Sequence, residues 1–192
     1  MCIRDRNSSM ALTYSSMLEL GSNLKEFNLL NTVSGNNFSS SELDEIKPSL
    51  IMFICNHCPY VIHYHDEIQR LANDFDNAIN MVAISSNDIE EYPQDGPDKM
   101  RELWVQLGLS FPYLFDSTQD VAKQYKAECT PEFYLFDSSQ KLVYRGRLDE
   151  SSPNSGFEPT GEDLRNAIEN VLNNKDVNAD QFPSMGCNIK WK

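Results

Sequence analysis

The chain alternates short apolar runs with amphipathic stretches, a pattern that predicts strands separated by helices. Residues 50–54 and 78–84 are mainly apolar runs of strand length, which are typical of strands covered on both faces of a sheet. A third short strand is predicted at residues 113–115. Helical spacing of apolar residues predicts helices over residues 59–75, over residues 98–107, from a cap at Ser117 or Thr118 to residue 125, and from a cap at Thr160 onward.

Two further pairs of strands are predicted as hairpins. Residues 27–30 and 34–38 flank a Gly/Asn turn, and residues 132–136 and 141–145 flank a polar turn. This order of strands and helices requires a mixed central sheet with helices on both faces, and therefore an α/β fold with an N-terminal β-hairpin. The predicted organisation is a disordered or artefactual segment at residues 1–19, one domain at residues 20–176 and a polar C-terminal tail at residues 177–192.

The first residues of the chain lack the features of a targeting segment. Residues 1–6 contain no long apolar stretch, and nothing downstream supplies one, so neither a signal peptide nor a membrane-spanning helix is predicted. The hexapeptide resembles translated sequencing-adapter sequence, which would put the native start near Met10; a disordered native N-terminus is the alternative. Both interpretations exclude Cys2 from the chemistry.

Charge and cysteine content narrow the function. The formal net charge is −13, and no cluster of Lys and Arg is present; both argue against binding to nucleic acid, which requires basic residues against the phosphates. Five cysteines in 192 residues are too few and too unevenly spaced for a secreted disulfide framework. Reduced, reactive thiols in the cytoplasm are the expectation.

The most informative stretch is the end of the predicted strand at residues 50–54, where Cys55 and Cys58 precede Pro59. Proline suits the first position of a helix, so Cys58 is predicted to be the N-cap residue. A thiolate there lies beside unpaired N–H groups and the positive end of the helix dipole, which can lower its pKa from about 8.5 to roughly 3.5–7.5. Cys58 is therefore the predicted nucleophile, and Cys55 is a nearby second thiol.

Three segments together resemble the peroxiredoxin-like branch of the thioredoxin superfamily, whose members include redoxin and alkyl-hydroperoxide-reductase/thiol-specific-antioxidant-like proteins. They are the strand–Cys–Pro–helix segment, the segment Cys129-Thr130-Pro131-Glu132 and the closing Gly186-Cys187-Asn188-Ile189-Lys190-Trp191-Lys192. The resemblance implies a thioredoxin-like fold and a thiol-dependent oxidoreductase without a cofactor. It also implies a cis peptide bond at Pro131, with Thr130 as its partner in positioning a substrate.

The resemblance does not extend to the peroxidase constellation. Peroxiredoxins carry a threonine three residues before the peroxidatic cysteine, a proline four residues before that, and an arginine near a later strand. In this chain those positions hold Cys55, Ile51 and Pro131. Disulfide exchange is therefore favoured over efficient peroxide reduction, with a thiol, disulfide or peroxide as substrate and an external thiol as reductant.

Several alternatives remain open from the sequence. Cys55 is the first choice to resolve an oxidised Cys58, Cys129 is the second, and the position of Cys187 is not predicted. A copper or zinc carrier would use Cys55, His57 and Cys58, but His63 and His65 are two apart on a helix and cannot face one point. A redox-silent binding module on the same fold is the remaining alternative.

Overall fold

The computed structural model describes residues 11–192. The strands are β1 (Leu12–Tyr14), β2 (Asn28–Asn31), β3 (Asn37–Ser39), β4 (Ser49–Phe53), β5 (Asn80–Ser85), β6 (Tyr113–Phe115), β7 (Cys129–Thr130), β8 (Glu132–Phe136), β9 (Leu142–Gly146) and β10 (Met185–Asn188). The α-helices are α1 (Pro59–His63), α2 (His65–Asp74), α3 (Pro97–Leu107), α4 (Asp120–Gln124) and α5 (Glu162–Leu172). Short 3-10 helices lie at Ser40–Glu42 and Pro93–Asp95.

The main sheet has seven strands in the order β3-β2-β6-β5-β4-β8-β9. β4 is parallel to β5 and antiparallel to β8, so the predicted mixed α/β sheet is confirmed. Side chains of β4 alternate between two cores: Leu50 and Met52 pack with α1, α2, α3 and α5, whereas Ile51 and Phe53 pack with α4. Helices therefore cover both faces of the sheet, and the turn that follows β4 lies in the middle of the molecule.

The predicted N-terminal hairpin is also present. β2 pairs antiparallel with β3, and its other edge pairs with β6 of the main sheet. Ser39 caps the following 3-10 helix, accepting a hydrogen bond from Ser41 while Glu42 accepts one from the Ser39 N–H.

Three helix boundaries differ from the sequence prediction. The helix predicted over residues 59–75 is divided at Tyr64, which leaves helical geometry and donates its hydroxyl to the Ser151 carbonyl. α4 is capped by Gln119, which has a left-handed backbone conformation and donates its side-chain amide to the carbonyls of Ser86 and Lys190. α5 is capped by Gly161, whose N–H donates to the buried carboxylate of Asp149.

The largest difference lies in the two segments that the sequence leaves without structure. β1 and β10 form a three-stranded sheet with β7, in the order β1-β10-β7. Cys187 is opposite both Leu12 and Thr130 in this sheet. The predictions of disorder through residue 19 and of a tail from residue 177 are therefore wrong for these strands, because their backbone groups pair with each other and with β7. The predicted artefact at residues 1–6, the start near Met10 and Cys2 lie outside the described residues.

Gly186 allows β10 to approach β7 closely, because a Cβ atom at this position would overlap the carbonyl oxygen of Thr130. Replacement of Gly186 by alanine should lower the free energy of unfolding by about 1–3 kcal/mol, as expected for overpacking. Chemical denaturation measures this loss. Asn188→Ala, in the same strand but already carrying a Cβ, is the control and should have a smaller effect; equal losses would show that the close approach is not the cause.

Within residues 11–192, none of the helices combines the length and the apolar character needed to cross a lipid bilayer.

Candidate functional site

The site is built at the exit of β4, where the chain turns into α1. Cys58 is the N-cap residue of α1, with Pro59 at the first helical position. The carbonyl of Cys58 accepts hydrogen bonds from the N–H groups of Val61 and Ile62, each at 3.0 Å. The side chain of Cys58 is 0% exposed, so its sulfur lies inside the protein at the end of the helix.

Two further cysteines lie around the sulfur of Cys58. The Sγ atoms of Cys58 and Cys187 are 2.8 Å apart, although the two residues are 129 positions apart in sequence. Cys55 also hydrogen-bonds the Cys58 sulfur. Its own Sγ lies 3.5 Å from the hydroxyl oxygen of Thr130. The structure therefore brings Cys55, Cys58 and Cys187 into one buried cluster, which we call the thiol cluster.

The thiol cluster favours the charged form of Cys58. Hydrogen bonds between its sulfur and the thiols of Cys187 and Cys55 lower the pKa of Cys58 far below its ordinary value. Burial acts in the opposite direction, but the N–H of Val61 and the hydroxyl of Thr130 add to the stabilisation of the thiolate. Cys58 is therefore the sulfur of the cluster best prepared to act as a nucleophile.

The other two cysteines of the cluster, Cys55 and Cys187, have raised pKa values. The hydrogen bond to Cys58 and burial raise the pKa of Cys55, and the negative charge of Asp95 raises it further. The hydrogen bond to Cys58 and burial also raise the pKa of Cys187, but the nearby cation of Lys190 opposes this. Within the cluster, Cys58 is thus the cysteine whose charged form is favoured, whereas Cys55 and Cys187 favour the protonated form.

Thr130 and Pro131 lie directly beside the thiol cluster. The Thr130–Pro131 peptide bond is cis, as the family resemblance implies. The carbonyl oxygen of Thr130 is 3.4 Å from the Cys58 sulfur. Pro131 also lines a cavity of about 220 Å³, together with Tyr64, Phe133 and Phe182. The role of these residues in positioning a substrate stays a prediction.

Cys129 does not join the thiol cluster. Its Sγ lies 3.9 Å from a carboxylate oxygen of Glu132 and 3.9 Å from the carbonyl of Ser184. Successive side chains of a strand face opposite directions, so Thr130 faces Cys58 while Cys129 faces away. Burial and the charge of Glu132 raise the pKa of Cys129. These contacts favour a packing role over the resolving role that the sequence leaves open.

Asp95 was missed from the sequence, where it is one of several acidic residues in a polar loop. It is fully buried, and its carboxylate accepts hydrogen bonds from the N–H of Asn56 and the amide of Asn87, at 2.8 and 2.9 Å. Its second oxygen lies 2.6 Å from Nδ1 of His57, and the His57 ring stacks on Tyr92. Asp95 therefore fixes the turn between Cys55 and Cys58.

Two buried aromatic residues, Tyr113 and Trp104, support the same turn between Cys55 and Cys58. Tyr113 is fully buried and donates its hydroxyl to the side-chain oxygen of Asn56 at 3.0 Å. The ring of Trp104 packs on Tyr113 with a centroid distance of 4.1 Å, and its N–H donates to the carbonyl of Phe111. Trp104 is thus a buried core residue that also packs against Tyr113, which contacts the site.

The structure places His57, but neither His63 nor His65, in a group of residues that could hold a metal ion. Cys55, His57 and Asp95 present ligand atoms within 4.8 Å of one another. His63 is not among them, because its ring hydrogen-bonds Ser151, and His65 also lies outside the group. Both oxygens of Asp95 already accept hydrogen bonds within the protein, so a metal ion would have to replace existing contacts.

The chain is similar in sequence and in structure to known proteins. The model of the Redoxin family matches residues 19–162. An uncharacterized conserved protein from Geobacillus kaustophilus is 47% identical, with 95% of this chain and 97% of that chain covered and a TM-score of 0.93. A hypothetical protein from Sinorhizobium meliloti 1021 is 39% identical, with 94% and 98% covered and a TM-score of 0.91.

More distant structures agree in fold alone. A secreted disulfide oxidoreductase from Mycobacterium tuberculosis is 16% identical, with 74% of this chain and 94% of that chain covered and a TM-score of 0.59. No curated protein matches the chain. The predicted thioredoxin-like fold is confirmed by these similarities and by the observed sheet.

Proposed function

The chain belongs to the Redoxin family, and on this premise we propose that it is a thiol–disulfide oxidoreductase in which Cys58 is the attacking thiolate. The observation that carries the proposal is the position of Cys58 at the start of α1, with two thiols hydrogen-bonded to its sulfur. A thiolate is the reactive form of cysteine in disulfide exchange, and the hydrogen bonds around Cys58 favour that form.

The proposed substrate is a disulfide. The Cys58 thiolate attacks one sulfur of that disulfide, a mixed disulfide forms, and the other sulfur leaves as a thiolate. A second cysteine of this chain then displaces the substrate's remaining sulfur and forms an intramolecular disulfide, which an external thiol reductant returns to two thiols. A reducing compartment such as the cytoplasm fits this cycle.

Besides a disulfide, a peroxide is the second oxidising substrate that we propose for Cys58. Attack of the thiolate on a peroxide gives a sulfenic acid at Cys58, and a thiol of the same chain converts this to a disulfide with loss of water. Disulfides are favoured as substrates because Cys55 and Pro131 occupy positions that hold threonine and arginine in the peroxidases that the chain resembles.

The burial of Cys58 limits which substrates can reach its sulfur. The sulfur has no exposed surface, and β10 packs against α1 beside it. A substrate therefore reaches Cys58 only when the covering segment moves locally, and the enzyme should favour small or flexible disulfides over rigid, buried ones.

Reduction of insulin disulfides with dithiothreitol as the final reductant tests the proposed function. Catalytic amounts of the wild-type protein should accelerate the reaction, and Cys58→Ser should reduce the rate to that of dithiothreitol alone, because serine cannot form a disulfide. Cys129→Ser is the matched control and should keep the activity, since its side chain faces away from the thiol cluster. Full activity in Cys58→Ser would contradict the proposal.

A further inference from the structure

The closing segment of the chain contributes a cysteine that the proposed cycle does not yet use. Cys187 lies on β10, directly opposite Thr130 of β7. Residues directly opposite each other in an antiparallel pair have their side chains on the same face. Because the side-chain hydroxyl of Thr130 lies 3.5 Å from the Cys55 sulfur and also interacts with Cys58, this register directs Cys187 toward Cys58 as well.

The position of Cys187 is fixed on both sides of the strand. β10 lies between β1 and β7, and the N–H of Ile189 donates to the carbonyl of Glu128 at 3.0 Å. Beyond the strand, the N–H of Lys190 donates to the side chain of Asn87 at 2.9 Å, and its carbonyl accepts from Gln119. The 2.8 Å contact between the two sulfurs is therefore held by regular backbone pairing and does not depend on a loose tail.

We propose that Cys187 is the resolving cysteine, and that oxidation of this protein produces a disulfide between Cys58 and Cys187. The proposal rests on the proposed function, because it requires an oxidised Cys58. In the mixed disulfide, the sulfur of Cys187 loses its proton and attacks Cys58, the Cys58–Cys187 bond forms, and the substrate sulfur leaves as a thiol after taking up a proton. From the sulfenic acid, the same bond forms with release of water.

The surroundings of the two candidate resolving thiols favour Cys187 over Cys55. A resolving thiol must become a thiolate as it attacks. Cys55 faces the buried carboxylate of Asp95, which disfavours that negative charge, and its sulfur is 3.5 Å from the hydroxyl of Thr130. Cys187 instead has the ammonium group of Lys190 nearby, which favours it. In the reduced state, Cys55 acts as a hydrogen-bond donor that stabilises the Cys58 thiolate.

Peptide mapping of disulfides tests this assignment. Reduced wild-type protein is treated with glutathione disulfide or, separately, with one equivalent of hydrogen peroxide; free thiols are then alkylated, and peptides are identified by mass spectrometry. The expected main product is a Cys58–Cys187 disulfide, and Cys55→Ser should still form it. Cys187→Ser and Cys187→Ala should lose it and accumulate the glutathione adduct or the sulfenic acid on Cys58.

The outcomes separate the two proposals. If Cys58 pairs mainly with Cys55 in the wild-type protein, the assignment of Cys187 is wrong while the proposed function survives. If Cys58 stays reduced under both treatments, the proposed function fails, and the resolving role fails with it. Because the wild-type result alone decides the pairing, the test does not depend on the folding of a variant; circular dichroism of both Cys187 variants checks that their adducts come from folded protein.

Discussion

Between about pH 6 and pH 8 in reducing buffer, the free energy of unfolding of the wild-type protein should rise relative to that of Cys58→Ser by about 1.4 kcal/mol per pH unit. The unfolded chain keeps the proton on Cys58 up to the ordinary thiol pKa of about 8.5. The folded chain favours the thiolate, because hydrogen bonds with the thiols of Cys187 and Cys55 lower the pKa of Cys58. The unfolded state thus binds one proton more than the folded state, so the free energy of unfolding increases with pH. The stabilisation that comes from the thiolate is fully present above about pH 8.5 and is lost as the pH falls through the lowered pKa of the folded state.

Urea unfolding at a series of pH values measures this difference. Cys129→Ser is the control, because the pKa of Cys129 is raised in the folded protein and the group is protonated in both states over this range. Its stability curve should therefore run parallel to that of the wild type. Parallel curves for the wild type and Cys58→Ser would show that Cys58 is an ordinary thiol in the folded protein.

Trp104→Ala should lower the free energy of unfolding by about 3–5 kcal/mol, the usual loss for truncating a buried Trp or Phe. Trp104 is 1% exposed and packs on Tyr113, whose hydroxyl donates to Asn56 in the turn between the two cysteines. Loss of the indole should therefore also loosen the site. Chemical denaturation measures the first effect, and a higher rate of alkylation of Cys58 measures the second.

The same helix offers a control for this variant. Val105 is the next residue and is 72% exposed, so Val105→Ala should change stability by less than about 0.5 kcal/mol. A loss in Trp104→Ala no larger than that of Val105→Ala would show that the indole does not support the core.

The elements that position Cys58 could be predicted from the sequence because they depend on local patterns. The apolar run of β4, the helix-starting Pro59 and the polar turn between β8 and β9 each specify their own structure, and the resemblance supplied the cis bond at Pro131. The division of the helix at Tyr64 could not be predicted, because it is associated with a hydrogen bond to Ser151, 87 residues away.

The partners of Cys58 were harder to predict, because they depend on long-range pairing. Cys55 is three residues away and visible, whereas Cys187 reaches the site only through the pairing of β10 with β7. A weak signal existed, since Cys187 and Ile189 alternate with polar residues as a strand requires. Asp95 gave no signal at all, because nothing in its loop distinguishes its buried carboxylate from the exposed acidic residues of the same loop.

The late position of β10 in the chain also determines when the site is assembled during protein synthesis. Cys58 and Cys187 are 129 residues apart, so at about 5–20 residues per second the ribosome needs roughly 6–26 s to make the second after the first. During that interval the nascent chain carries Cys55 and Cys58 without the strand that later covers them. The newly made protein is therefore most open to unintended oxidation before translation reaches residue 187, and its nucleophile is sheltered only once β10 has been made and paired.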